Sequence, residues 1–227
     1  MPTLEWLQTA FSYGFDSGNI LSRLPNYRRF GQERKIGGSY NRVFQEAVKP
    51  HLRPDSCVLE IGPGRGSWSR GILRQIPHGK LYTADYLDTR PWLNPDEFNG
   101  RLVSLRVTDN SFRGLPDDYF DFFWSFGVLC HQNPHQIVEI LTNSRPKMKR
   151  GGIAIHQHAD WDKLDAFGWK KGRVPEAFKD SPNEEIWWPR NNRRQMAHAA
   201  KQAGWTIVSE DMGLLKRDGM ICLRRDR

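Results

Sequence analysis

The stretch that most constrains this 227-residue chain is Val58-Leu59-Glu60-Ile61-Gly62-Pro63-Gly64-Arg65-Gly66. An apolar run reads into three alternating glycines and then into a helical pattern from Ser67. Glycines so placed let the backbone turn sharply and come close to a ligand, as where a strand hands over to a helix at a nucleotide-like cofactor. The spacing is GxGxG rather than GxGxxG, and Glu60 stands two positions before the first glycine, so a dinucleotide fingerprint fits less well.

From about residue 54 onward, short apolar runs alternate with helix-length polar segments. That alternation predicts an α/β fold with a parallel sheet covered by helices on both faces. Strands are expected at 57–61, 80–84, 102–107, 120–126, 152–156, 206–210 and 220–223, and helices at 67–76, 135–144 and 192–203. The last helix is closed by Gly204, where a left-handed residue suits a helix end. Residues 211–219 are too few for the crossover helix that a parallel neighbour needs, so the final two strands should form an antiparallel hairpin. The expectation is a mostly parallel seven-stranded sheet with one reversed strand at its end. Residues 1–50 are rich in aromatics, with helical character near 4–11 and 40–48, and are expected to form a helical cap. Residues 51–227 are the main domain, with a tryptophan-bearing lid insert at about 161–190.

The glycine segment resembles motif I of the class I, Rossmann-like S-adenosylmethionine-dependent methyltransferases, whose usual form is acidic-x-G-x-G-x-G. Other segments extend the resemblance. Asp85 closes the second strand about 20 residues past the glycines, Asp109 closes the third, and 120–126 carries an acidic-x-apolar signature. Arg145 to Gly152 is similar to the family's R-x-L-x-P-G-G turn, with Pro146 after the arginine and Arg150 in the usual proline position. The resemblance covers about 54–160 and implies S-adenosylmethionine as cofactor. It places Glu60, Gly62, Pro63, Gly64 and Gly66 at the donor, Asp85 on the ribose hydroxyls and Tyr86 against adenine. Asp109 and Asn110 fall near the adenine amine, and Ser125 at the fourth strand's edge. A looser similarity to bacterial glycan and natural-product O-methyltransferases rests on the wording of strands four and five.

Methyl transfer requires an aligned nucleophile and, for a hydroxyl, removal of its proton. Three histidines fall near the carboxyl edge of the expected sheet, where this architecture puts ligands: His131 after strand four, and His156 and His158 after strand five. His156 and His158 share one side by period-two alternation. One of this pair is the expected general base for a hydroxyl, with Asp160 or Asp162 to orient it; His131 has a competing claim, since many members of the resembled family carry a histidine there. No metal is expected, because the strand-four edge carries Ser125 and Phe126 rather than acidic ligands. The segment Ser125-Phe126-Gly127-Val128 departs from the (N/D/S)-P-P-(Y/F/W) motif of base-amine methyltransferases. The acceptor expected is therefore a small-molecule, sugar or glycan hydroxyl. RNA ribose methylation and N-methylation of a small amine are the alternatives.

The formal net charge of +8 invites a nucleic-acid partner, but the basic residues are spread along the chain, and that partner is not favoured. No apolar run is long enough to span a bilayer and the start lacks a secretory pattern, so a cytoplasmic location is expected. Cys57, Cys130 and Cys222 have no CxxC spacing and read as buried apolar residues.

Overall fold

The computed structural model describes residues 17–226. Seven strands, β1 (Cys57–Ile61), β2 (Lys80–Asp85), β3 (Leu102–Arg106), β4 (Phe120–Ser125), β5 (Met148–His158), β6 (Thr206–Ser209) and β7 (Gly219–Arg224), form one sheet. Their order is β3-β2-β1-β4-β5-β7-β6. The pairings from β3 to β5 are parallel, and β7 is antiparallel to both neighbours. The fold is the expected α/β Rossmann-like one, with one refinement. The reversed strand lies inside the sheet, between β5 and β6, and β6 forms the edge.

Seven α-helices lie among the described residues: α1 (Tyr27–Ile36), α2 (Tyr40–Val43), α3 (Ser67–Gln75), α4 (Pro134–Ser144), α5 (Trp161–Phe167), α6 (Trp169–Gly172) and α7 (Arg193–Gln202). Local chemistry starts several of them. Asn26, Asp160 and Asn192 each accept a backbone N–H at the head of α1, α5 and α7. Asn133 and Gln136 form a capping box on α4. The expected helix at 40–48 is present as α2 running into a π-helical turn, Phe44–Val48. The expected helix near 4–11 lies outside the described residues.

The central strands are buried on both faces, so their sequences read as apolar runs rather than alternations. Adjacent residues face opposite cores. Val58, Phe122, Trp124 and Ile155 join Val43, Phe44 and Ile72 on the α2/α3 side. Leu59, Phe123 and Ala154 join Ile137, Leu141, Met196 and Ala200 on the α4/α7 side. A third cluster, with Leu164, Trp169, Val174 and Trp188, belongs to the segment between β5 and α7 and sits on Cys130 and Ala159.

β5 is longer than its sequence pattern at both ends. The Gly151-Gly152 pair reads as a turn, yet the strand passes through it as an irregularity: Gly151 takes φ 77°, and Met148 pairs with Phe120 beyond the register shift. At the other end, pairing with β7 carries the strand on to His158.

Candidate active site

The parallel register sets out the site. Ile61 pairs with Ala84 and with Ser125, and Asp85 pairs with Arg106, so Gly62, Asp85 and Ser125 stand side by side where β1, β2 and β4 end. Between β1 and α3 the chain turns through Gly62, Gly64 and Gly66, at φ 66°, 55° and 79°. The Gly62 N–H donates to the Ala84 carbonyl at 3.0 Å, and the Gly66 N–H to the Pro63 carbonyl at 2.9 Å. A Cβ at Gly62 would lie 2.3 Å from Val128 Cγ2, and one at Gly66 would lie 2.7 Å from Leu93 Cδ1. The turn is thus packed as well as left-handed, and only glycine meets both demands.

Glu60 lies beneath this turn, almost fully buried, and accepts from Ser69 Oγ at 2.6 Å. Burial pushes its carboxyl up to about 8; the Ser69 hydrogen bond opposes that rise and the charge of Asp85 adds to it. Asp85 is half-buried and accepts the Leu87 N–H at 3.0 Å. Tyr86 donates its hydroxyl to Asn110 Oδ1 at 2.9 Å, and Asn110 Nδ2 donates to Glu139 at 2.9 Å, so Asn110 ties the ends of β2 and β3 to α4. Asp109 is exposed and accepts the Ser111 N–H at 2.8 Å, and hydrogen bonding by Ser111 holds its carboxyl below the usual range.

The three histidines differ in burial and in partners. His156 is fully buried, with Nδ1 2.8 Å from Ser125 Oγ and its ring against Phe123; burial pushes its imidazole down to about 3. His158 is also fully buried, with Nδ1 2.8 Å from the Ala159 carbonyl. The Nε2 atoms of both lack a hydrogen-bond partner. His131 is half-buried beside Trp187 and Trp188, with Nδ1 2.6 Å from the Trp187 carbonyl. A carbonyl can only accept, so Nδ1 carries the proton and the ring lone pair is on Nε2. Burial pushes this imidazole down to about 4.

Sequence reasoning passed over Ser69, Gln157, Arg217 and Asp218. Gln157 accepts the Gly127 N–H at 2.7 Å and donates to Asp218 at 2.7 Å, and Arg217 pairs with Asp218 in the same buried cluster. No local pattern marks these residues, because their partners come from other elements. No group of three or more metal-binding side chains is found among the described residues.

The family profile described as a methyltransferase domain matches residues 27–210. The chain belongs to that family. It is an S-adenosylmethionine-dependent methyltransferase, and the glycine turn with Asp85 beside it suits that cofactor. Among curated proteins no sequence matches the chain. Solved structures share its fold at low identity. A SAM-dependent methyltransferase from Aquifex aeolicus is 15% identical over 85% of this chain and 92% of its own, with a TM-score of 0.60. The 1,6-didemethyltoxoflavin-N1-methyltransferase of Burkholderia thailandensis, solved with bound 1,6-didemethyltoxoflavin and S-adenosylhomocysteine, is 15% identical over 88% and 86%, at 0.57. Geranyl diphosphate C-methyltransferase from Streptomyces coelicolor, solved with Mg2+, geranyl diphosphate and S-adenosylhomocysteine, is 12% identical over 82% and 79%, at 0.60. Nitrogen and carbon acceptors thus both occur on this fold.

Proposed function

We propose that this methyltransferase transfers a methyl group to a hydroxyl of a small molecule, with sugars and glycans as the favoured class and His131 as general base. Bound S-adenosylmethionine supplies an electrophilic methyl on a sulfonium centre. Gly62, Pro63, Gly64 and Gly66 would hold its amino-acid end, with Glu60 beneath. Asp85 would take the ribose hydroxyls, and Tyr86, Asp109 and Asn110 would border adenine. Ser125 would face the donor from the β4 edge.

One observation carries the choice of base. His131 is held in a single tautomer by the Trp187 carbonyl at 2.6 Å, at the carboxyl end of β4 and against the tryptophans of the lid. In that tautomer Nε2 carries the ring lone pair that a general base uses. His156 and His158 are fully buried, which favours a role for them in positioning Ser125 and the β5 end over direct contact with an acceptor. The unpaired thiols of Cys57, Cys130 and Cys222 suit a reducing compartment and support a cytoplasmic location. No helix among the described residues is long and apolar enough to cross a membrane.

The test is S-adenosylhomocysteine release over a panel of hydroxylated acceptors. His131→Ala should lower kcat by roughly 10²–10⁴-fold on the first acceptor found, with cofactor affinity kept within about twofold. Full activity in His131→Ala would remove His131 from the mechanism, and turnover on amines but on no hydroxylated acceptor would replace the hydroxyl reading.

A further inference from the structure

Beside the glycine turn, along α3, lies a cavity of about 340 Å³, within the range of small-molecule sites. Asn19, Arg65, Ser67, Arg70, Arg74 and Trp92 line it. None of Gly62, Asp85, Asp109 and Ser125 does, so it is separate from the cradle assigned to the donor.

Among the described residues its lining is basic. Three arginines line it, and among the described residues no carboxylate does. Arg70 and Arg74 stand one turn apart on α3, a like-charge spacing that destabilises a helix unless an anion offsets it. The first turn of α3 holds no acidic residue, and its cap, Gly66, supplies no side-chain hydrogen bond. The positive end of the helix therefore adds to the charge on the Ser67 side of the cavity, and Arg74 reaches it from the last turn.

The cavity is also preorganised. Arg70 donates to the Arg65 carbonyl at 2.6 Å and to the Trp92 carbonyl, which fixes its guanidinium against the wall. Arg65 lies over the Trp92 ring at 5.7 Å. Ser67 is 8% exposed, and its Oγ has no hydrogen-bond partner. A buried hydroxyl without a partner is costly and points to a missing acceptor.

We propose that this cavity binds the phosphate or diphosphate group of a phosphorylated small molecule. Arg70 and Arg74 supply charge-assisted donors, Ser67 Oγ donates one more hydrogen bond, and Trp92 flanks the group that carries the phosphate. A compact anion of more than one charge matches several guanidinium groups better than a single carboxylate does. The enclosure by Asn19 and Trp92 favours a small ligand over a polymer, and the site gives the chain's net charge of +8 a local purpose.

The experiment is calorimetric titration of the full chain with pyrophosphate at low salt, with and without saturating S-adenosylhomocysteine. Pyrophosphate should bind at one site in both cases. Arg74→Gln, an exposed position, should weaken it about tenfold or more, and Ser67→Ala should weaken it too. S-adenosylhomocysteine affinity and the melting temperature should stay unchanged in Arg74→Gln. Absence of pyrophosphate binding to the wild type would overturn the proposal, as would equal binding by Arg74→Gln. Competition between pyrophosphate and S-adenosylhomocysteine would assign the arginines to the cofactor and also overturn it. In a last arm, a short single-stranded RNA that binds more tightly than pyrophosphate, and equally well to Arg74→Gln, would replace a phosphate pocket with a basic surface.

Discussion

Glu60 carries the residue-scale consequence that is simplest to measure. Its carboxyl is pushed from 4.5 to about 8 by burial, so the folded chain keeps a proton that the unfolded chain releases. Stability from this group is fully present below the unfolded value and is lost as pH rises through about 8. Glu60→Gln removes that slope. Between pH 5 and pH 8 the wild type should lose more of its urea midpoint than the variant does; equal losses would mean that Glu60 ionises as freely in the fold as in the unfolded chain. His156 acts with the opposite sign, since its pKa is depressed from 6.5 to about 3 and its neutral form loses stability as pH falls below 6.5. Comparing variant with wild type at each pH cancels that contribution. The positions of Glu60, Asp85 and the glycines at the ends of β1 and β2 were legible in the sequence, because an apolar run meeting a glycine or an acidic residue marks where a strand stops, whereas Asp109 lies three residues past β3. The Ser69 hydrogen bond and the burial of His156 were not, because one depends on how α3 rotates over β1 and the other on the register of β4 against β5.

At the scale of elements, the segment from Trp161 to Asn191 forms a small layer with its own apolar cluster. Its tryptophans pack mainly on one another and on Cys130 and Ala159. Trp188 is central to it: the ring is 3% exposed and the Arg217 guanidinium sits 4.4 Å from its centroid. Trp188→Ala removes a side chain whose loss typically costs about 3–5 kcal/mol. Most of that cost should fall on local opening, raising the open population of the layer by about a hundredfold. Trypsin, cutting at exposed Lys170, Lys171 or Arg173, is the readout, and an unchanged cleavage rate would show that Trp188 does not hold the layer down. The tryptophan content marked this stretch as an insert over the sheet edge. It did not reveal that the rings pack mainly on each other.

At the scale of the whole molecule, one buried ion pair joins elements far apart in sequence. Arg217 and Asp218 pair at 2.7 Å with side chains 4% and 0% exposed. Arg217 NH1 donates to the Gly172 carbonyl at the end of α6, and Gln157 of β5 donates to Asp218. The backbone N–H groups of Lys216 and Arg217 donate to the Ile36 carbonyl at the end of α1. Asp218→Asn leaves the guanidinium buried without its counter-charge and should cost about 3–5 kcal/mol in global unfolding, read by urea denaturation. Replacing both, Arg217→Met with Asp218→Leu, should recover most of that loss, because the penalty comes from the orphaned charge rather than from the pair's absence. A double variant as unstable as the single one would assign the cost to the lost hydrogen bonds to Gly172 and Gln157 instead.

The sequence by itself determined the fold class, the first strand-to-helix turn, the order of acidic residues along the sheet edge and the antiparallel end. Each of these rests on local chemistry: glycines that take positive φ without steric cost, apolar runs of strand length, and a connection too short to cross the sheet. Only the tertiary structure decided that β7 lies inside the sheet, that β5 runs through two glycines, and that His156 and His158 are fully buried while His131 is half-buried beside Trp187 and Trp188. It also brought Arg70, Arg74 and Ser67 to face Asn19 and Trp92 across one cavity. Those outcomes depend on register, helix rotation and the packing of segments distant in sequence, which no window of neighbouring residues encodes.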